Sequence, residues 1–262
     1  MLAQRVASAA VGIPIIVLLI WAGGDWYTGA VCLIVLIAAY EFQAPHQGSM
    51  TPPAVLSAAL ATAIVAGARV GTDCVLWFTL GAVMIPLVWV TLRGDPGTAL
   101  PDWQWAATGA LYVGLLGSHI VLLRELHDGA AWVYLAVFGT FAADTAAFFV
   151  GRAIGRRKLA PAISPGKTVE GTIGGMAGGF AAVVLFNYFL GMRLEPALIV
   201  PLALLLLVAA VTGDLAESII KRGMHIKDAG QVIPGHGGFL DRLDSMLFTA
   251  PVVYYFLIWV AA

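Results

Sequence analysis

The chain has 262 residues, of which 60% are hydrophobic and only 11% charged, and its net charge is −1. Soluble domains carry roughly a quarter charged residues, so these proportions exclude a water-soluble fold and indicate an integral membrane protein. The balanced charge excludes a nucleic-acid partner on electrostatic grounds.

A membrane-spanning helix needs roughly 17–25 apolar residues. Nine runs of that kind predict spans at 6–22, 26–42, 53–70, 74–92, 103–123, 131–151, 170–191, 196–219 and 245–261. Arg5 followed by apolar residues resembles a signal peptide, but eight further runs follow, so an uncleaved first span is expected. Runs this long are helices, because barrel strands would alternate over ~10 residues. Trp21, Trp26, Tyr27, Trp89, Trp103, Trp105, Trp132 and Trp259 gather near span ends as an interfacial belt. Pro14, Pro86, Pro201 and Pro251 fall inside spans, where kinks are expected. Cys32 and Cys74 lie in or beside apolar runs and read as packing residues. The expected fold is an all-α polytopic membrane protein of about nine transmembrane helices, one membrane domain over 1–262. Within it 1–130 is a scaffold of helices. Residues 131–262 are the catalytic helices, with polar loops at 152–168 and 220–244.

Nine spans put the N-terminus on the same side as the loops after spans two, four, six and eight. Those segments carry Arg5, Arg93, Arg152, Arg156, Arg157, Lys158, Lys167, Lys221, Arg222, Lys227 and Arg242, against Arg69, Arg124 and Arg193 on the other side. The positive-inside rule makes the first side cytoplasmic. The expected location is the cell (plasma) membrane, with the polar loops facing the cytoplasm.

Chemistry concentrates after residue 140. Asp214, Glu217, Ser218 and Lys221 are spaced i, i+3, i+4, i+7, which puts them on one helix face at the end of span eight. An unpaired carboxylate at that depth costs roughly 2.5–3.5 kcal/mol, so Asp214 must face a wet cavity or a partner. A buried ion pair holding helices together is the bland alternative. Asp241 and Asp244 follow Pro234-Gly235-His236-Gly237-Gly238. Bare glycine backbone can turn several N–H groups toward one anion, though an Asp- and Gly-rich helix cap would look the same. Carboxylates ~4 Å apart repel by about 4 kcal/mol at an effective dielectric near 20, which a divalent cation would remove. Oxygen-only donors favour Mg2+ or Ca2+ over zinc.

Asp144 is a third carboxylate, placed mid-span. The loop after it carries Arg152, Arg156, Arg157, Lys158 and Lys167; a solvated basic face accounts for Arg156 to Lys158 but not for Ser164-Pro165-Gly166-Lys167-Thr168. A P-loop is excluded, because that pattern needs Gly at 161 and Pro161 stands there. Lys167 remains a lone phosphate-binding cation. His46, His119 and His127 are isolated, and of the histidines in the charged loop, His225 and His236, only His236 between glycines is a candidate for phosphate contact.

The stretch Ser218-x-x-Lys221-Arg222-x4-Lys227-Asp228-x-Gly230-x2-Ile233-Pro234-x-His236-Gly237-Gly238-Phe239-x-Asp241-Arg242-Leu243-Asp244 resembles the signature of the phosphatidate cytidylyltransferases (CDP-diacylglycerol synthases) at every defined position. Gly213-Asp214-Leu215-x-Glu217-Ser218 and Ile163-Ser164-Pro165-Gly166-Lys167-Thr168-x-Glu170-Gly171 resemble further blocks of that family. The resemblance is strong in the C-terminal half; the first ~130 residues fit only as spans. After Asp144-Thr145 the family usually has Gly-Ala-Tyr/Phe, where this chain has Ala146-Ala147-Phe148; that departure puts in doubt a close helix contact there, but not the carboxylate.

The resemblance implies transfer of CMP from CTP to phosphatidic acid, giving CDP-diacylglycerol and pyrophosphate, with a divalent metal at the cytoplasmic face of the bilayer. For that reaction, Asp214, Asp241 and Asp244 are expected to hold Mg2+, with Asp144 supporting them from behind or as an additional ligand, and one ion or two left open. Asp214, Lys221, Arg222, Asp241 and Asp244 are the expected catalytic set. Lys167, Ser218, Lys227, His236, Gly237, Gly238 and Arg242 are the implied substrate-binding set, and a homodimer is the implied assembly. Two other classes compete. A cation-coupled secondary transporter would use Asp144 and Asp214 in Pro-interrupted spans, but transporters usually show two matching halves and the charges here lie in one. A CTP-dependent cytidylyltransferase acting on another lipid stays open, because apolar spans recognise tails without a readable code.

Overall fold

The computed structural model describes residues 2–47, 51–230, 232 and 237–261. These residues form α1 (Leu2–Ala22), α2 (Gly24–Gln47), α3 (Pro52–Ala68), α4 (Thr72–Arg93) and α5 (Pro96–Gly109). A π-helical turn (Ala110–Leu115) leads into α6 (Leu116–Glu125) and α7 (Gly129–Ile154). A hairpin of β1 (Lys158–Ala160) and β2 (Ser164–Thr168) precedes α8 (Val169–Phe189), α9 (Pro196–Gly223), α10 (Leu240–Leu243) and α11 (Met246–Ala261). Seven helices among the described residues are long and apolar enough to cross a membrane: Gly24–Pro45, Thr72–Arg93, Pro96–Glu125, Gly129–Ile154, Val169–Phe189, Pro196–Gly223 and Leu240–Val260. The protein is an all-α polytopic membrane protein. The expected spans 6–22 and 53–70 fall on shorter apolar helices, Ser8–Ala22 and Pro52–Ala68. Large apolar side chains point outward in number; Trp21, Trp26, Trp77, Leu92 and Tyr188 are all exposed. A solvated protein would hide such a surface, whereas lipid accepts it.

Helix ends follow local chemistry that hydropathy does not report. The fifth span starts at Pro96 rather than 103, because the Asp95 carboxylate accepts a hydrogen bond from the Gly97 N–H and Pro96 occupies the first turn. The eighth runs four residues past the apolar stretch, to Gly223. Residues 158–168, read from sequence as loop, pair as antiparallel strands, with Lys158 opposite Thr168 and Ala160 opposite Ser164. The Thr168 hydroxyl then caps α8 by accepting from the Gly171 N–H at 3.1 Å.

Two compact units are present. The first combines residues 1–125 with 228–243. Its centre is α3, more than half of whose residues are buried, packed by α2, α4, α5 and α6. At 17 residues it is about 25 Å long, short of a ~30 Å hydrocarbon core. Gln43 latches α2 to its neighbours, donating to the Ser57 hydroxyl at 3.0 Å and the Trp105 carbonyl at 2.6 Å. The π turn lies where α3 comes close: a Cβ on Gly114 would sit 2.5 Å from the Ala61 Cα.

The second unit combines residues 126–227 with 244–262, in which α7, α8, α9 and α11 form a bundle. Its tightest seam joins α7 to α8. Gly174 meets Val150, Gly175 meets Ala147, and a Cβ on Gly178 would lie 2.5 Å from the Ala146 Cβ. The glycine run at 174–179 thus serves packing within this chain. The close contact that Ala146 had put in doubt exists, and glycine on α8 makes the room. On α11, the Thr249 hydroxyl lies 3.2 Å from that of Thr140 on α7.

Candidate active site

In the second unit the sequence-predicted polar residues converge at the C-terminal end of α9. Lys167, on β2, forms an ion pair through Nζ with Asp214 Oδ2. The Ser218 hydroxyl donates to Asp214 Oδ1 at 3.3 Å, one turn along the same helix. Lys221 Nζ donates to Glu217 Oε2 at 2.9 Å; the Glu217 side chain is only 1% exposed. The i, i+4 spacing gives two adjacent rungs, 214–218 and 217–221.

Gly213 sets how closely α11 can approach α9. A Cβ there would lie 2.6 Å from the Asp244 carbonyl oxygen and 3.1 Å from both the Ser245 Cα and the Phe248 ring. That approach brings Asp244 into electrostatic reach of Asp214, Asp144 and Lys221. Asp244 Oδ1 accepts from the Ser245 N–H at 2.6 Å, which fixes its rotamer. Arg222 is exposed, and its guanidinium lies at 3.5 Å from the carbonyls of Ile163 and Ile226, directed at the hairpin rather than at the carboxylates. Lys227 is exposed. The hairpin that carries Lys167 is held by Glu170, which accepts from the backbone N–H groups of Arg156 at 3.0 Å and Arg157 at 3.1 Å.

The first unit holds the other part of the predicted set. Asp241 is buried, and its carboxylate closes the loop that leads to it. Oδ1 accepts from the Ala229 N–H at 3.1 Å, and Oδ2 accepts from the Gly238 N–H at 2.9 Å. Gly237 adopts φ +82°, a conformation that suits glycine. The Gly238 N–H, expected to face an anion, is therefore directed at Asp241 in this structure. Arg242 is exposed. His236 lies outside the described residues, as do Ile233, Pro234 and Gly235. His119 is buried on α6 with Nδ1 at 2.9 Å from the Leu115 carbonyl.

One residue of this region escaped the sequence reading. Glu41, on α2, accepts a hydrogen bond from the Leu240 N–H at 2.9 Å across 199 residues of chain. The signal was present: Glu41 follows an apolar run, and its neighbours at three and four residues either way are Ile37, Ala38, Ala44 and Pro45. A carboxylate at that depth with no partner on its own helix must find one elsewhere.

Asp144, Asp214 and Asp244 are oxygen donors of the kind a hard divalent cation takes. Among the described residues no three His, Cys, Asp or Glu side chains are grouped so as to hold a metal ion; here the Lys167 ammonium occupies Asp214. The donor chemistry and charge fit such an ion, and seating it needs Lys167 to move off Asp214.

Residues 3–260 match the family model described as the cytidylyltransferase family. The phosphatidate cytidylyltransferase of Synechocystis sp. is 33% identical over 287 residues, covering 97% of this chain and 96% of that protein. The protein of the same name from Pseudomonas aeruginosa is 33% identical over 271 residues, covering 100% and 98%. That of Bacillus subtilis is 38% identical over 179 residues, covering 68% and 66%.

Proposed function

Because the chain belongs to the cytidylyltransferase family, we propose that it is a phosphatidate cytidylyltransferase, transferring CMP from CTP to phosphatidic acid. The observation that carries the reading is the cluster of Asp214, Ser218, Lys221, Lys167 and Asp244 at the end of α9. In the reaction a phosphate oxygen of phosphatidic acid attacks the α-phosphorus of CTP. A new P–O bond forms, the bond from the α-phosphorus to the bridging oxygen of the β-phosphate breaks, and pyrophosphate leaves. The attacking oxygen is already ionised, so no protein nucleophile is required.

Both reactants are anions, so the protein's task is alignment and charge neutralisation. Lys167, Lys221, Arg222, Lys227 and Arg242 supply the cations, with His236 as a further phosphate contact. Ser218 orients Asp214, and Gly237 and Gly238 present backbone without side chains. Asp144, Asp214 and Asp244 would hold Mg2+, and Asp241, bonded to the Ala229 and Gly238 N–H groups, would hold the glycine loop. When bound, the ion would neutralise phosphate charge and polarise the phosphoryl oxygens. If the two shorter apolar helices also cross, giving nine spans, the basic-residue asymmetry puts the N-terminus and the active site on the cytoplasmic side of the cell membrane, and the protein is a homodimer by analogy with the family.

The test is pyrophosphate release by purified protein in phosphatidic acid micelles. We expect turnover that requires CTP, phosphatidic acid and Mg2+ together and stops on chelation. Equal release without the lipid, or after exhaustive chelation, overturns the reading.

A further inference from the structure

Glu41 stands outside every part assigned above, yet it is among the most enclosed charged side chains of the protein, at 4% exposure. Its Oε2 accepts from the Leu240 N–H at 2.9 Å, and the Phe239 N–H is a second backbone donor to the same carboxylate. Among the described residues, Oε1 is buried without a hydrogen-bond partner. Gly230 and Gly238 press on the carboxyl group so closely that a Cβ on either would overlap it. Asp241 lies within electrostatic reach, and it grips the same loop through the Ala229 and Gly238 N–H groups.

We propose that Glu41 is a positioning residue: from the N-terminal scaffold it fixes the backbone of 238–240, and thereby sets the place of Asp241 and Arg242 for the nucleotide. Three features carry this. The bond spans 199 residues, so it fastens the loop to α2 rather than closing a local turn. The glycines flanking the carboxylate have no space for any other side chain. The two carboxylates hold three consecutive amides, those of 238, 239 and 240, from different elements, which leaves the loop little freedom to drift. A buried acceptor with two backbone donors is costly to remove, because both N–H groups would then be buried without partners.

The proposal rests on the loop belonging to the CTP site, and the experiment separates the two ideas. Glu41→Gln keeps an acceptor at the same reach, and Glu41→Met keeps the length but removes the acceptor. Glu41→Asp keeps the charge but withdraws it by one methylene. For each purified variant, kcat and KM for CTP and for phosphatidic acid are measured, with hydrogen exchange of the peptide covering 237–243. We expect E41Q within about threefold of wild type, with wild-type protection. E41M and E41D should lose at least tenfold in kcat/KM for CTP, exchange faster at 237–243, and keep KM for phosphatidic acid. If E41M and E41D match wild type in both readouts, Glu41 positions nothing. If E41Q falls as far as E41M while protection stays intact, the charge itself acts in the reaction and the positioning role is overturned. Wild-type protein that lacks CTP-dependent turnover sinks the functional reading, while the exchange comparison still decides whether Glu41 fastens the loop.

Discussion

Gly213 is where helix packing and catalytic geometry meet, so Gly213→Ala tests the placement of Asp214 against Asp244. The new Cβ would lie 2.6 Å from the Asp244 carbonyl oxygen, where ordinary contacts begin at 3.4 Å. The obstructing atom is backbone, so no side-chain rotation relieves it; α9 and α11 must separate by about 0.8 Å, the difference between those two distances. Overpacking of this kind costs about 1–3 kcal/mol. Alanine in place of a helical glycine returns roughly 1 kcal/mol, so the net loss of stability is about 0–2 kcal/mol. The effect on turnover is larger, because a misplacement near 1 Å in an aligned site costs on the order of 100-fold. Steady-state pyrophosphate release should fall roughly 10- to 100-fold in kcat/KM, while unfolding in mixed micelles shifts little. Gly29→Ala is the control, since a Cβ there meets nothing within 4 Å; it should leave both readouts unchanged. A G213A enzyme within twofold of wild type would refute the claim that this contact sets the site.

Lys167→Met should cost about 1 kcal/mol or less in stability, because the Lys167–Asp214 pair is partly solvated. Turnover should nevertheless drop at least tenfold, read as kcat for CTP, if the ammonium serves phosphate; unchanged kcat would leave only a structural ion pair. Asp241→Asn keeps one carbonyl acceptor and loses the other, so Ala229 or Gly238 is left short of a partner. It should lower kcat/KM at least tenfold and speed exchange across 229–241, and near-wild-type activity would remove Asp241 from the active set. Gly178→Ala should destabilise by about 0–2 kcal/mol, the overpacking against Ala146 and the Ala142 carbonyl less the helical gain from alanine. In a double-mutant cycle with Ala146→Gly the two changes should be non-additive, the double variant being more stable than the sum of the single losses predicts, and strict additivity in an unfolding titration would place the contact elsewhere.

The hydrophobic runs carried the helices because the bilayer imposes one length and one pattern on every span. Helix ends escaped where polar caps extend them, as Asp95 does for α5, since a hydropathy count discards the very residues that cap. The hairpin at 158–168 escaped for a different reason. Pro161 and Pro165 argue against strands, and the pairing is secured by Glu170, which lies on the following helix and takes the Arg156 and Arg157 N–H groups. In the site, the i, i+4 rungs of α9 were legible because helical spacing alone creates them. Lys167 on Asp214 was not, because that pair joins a strand to a helix 47 residues away. Glu41 shows the limit most clearly. One carboxylate at the end of a span resembles an interfacial charge until a backbone amide 199 residues downstream is seen to need it.

The carboxylates of this protein divide by what neutralises them. In the first unit, Glu41 and Asp241 face backbone N–H groups, which offer partial charges and a fixed direction; such groups hold a loop but cannot exchange for a ligand. In the second, Asp214 and Glu217 face ammonium groups on flexible side-chain stems, and Asp244 faces other carboxylates as well as Lys221. At an effective dielectric near 20, two carboxylates ~4 Å apart repel by about 4 kcal/mol. Like charges within electrostatic reach of one another oppose folding, and the packing of Gly213 against the Asp244 backbone nevertheless keeps α9 and the start of α11 close. A lysine tether can be released when a stronger cation or a phosphate arrives, whereas an amide bonded inside a turn cannot. Exchangeable charge therefore sits on α9 and β2, and fixed charge holds the glycine loop. This predicts that ionic strength will alter turnover through the partly solvated Lys167 pair and leave hydrogen exchange at 237–243 unchanged. Salt-sensitive exchange at that loop would show that the two kinds of carboxylate are not distinct.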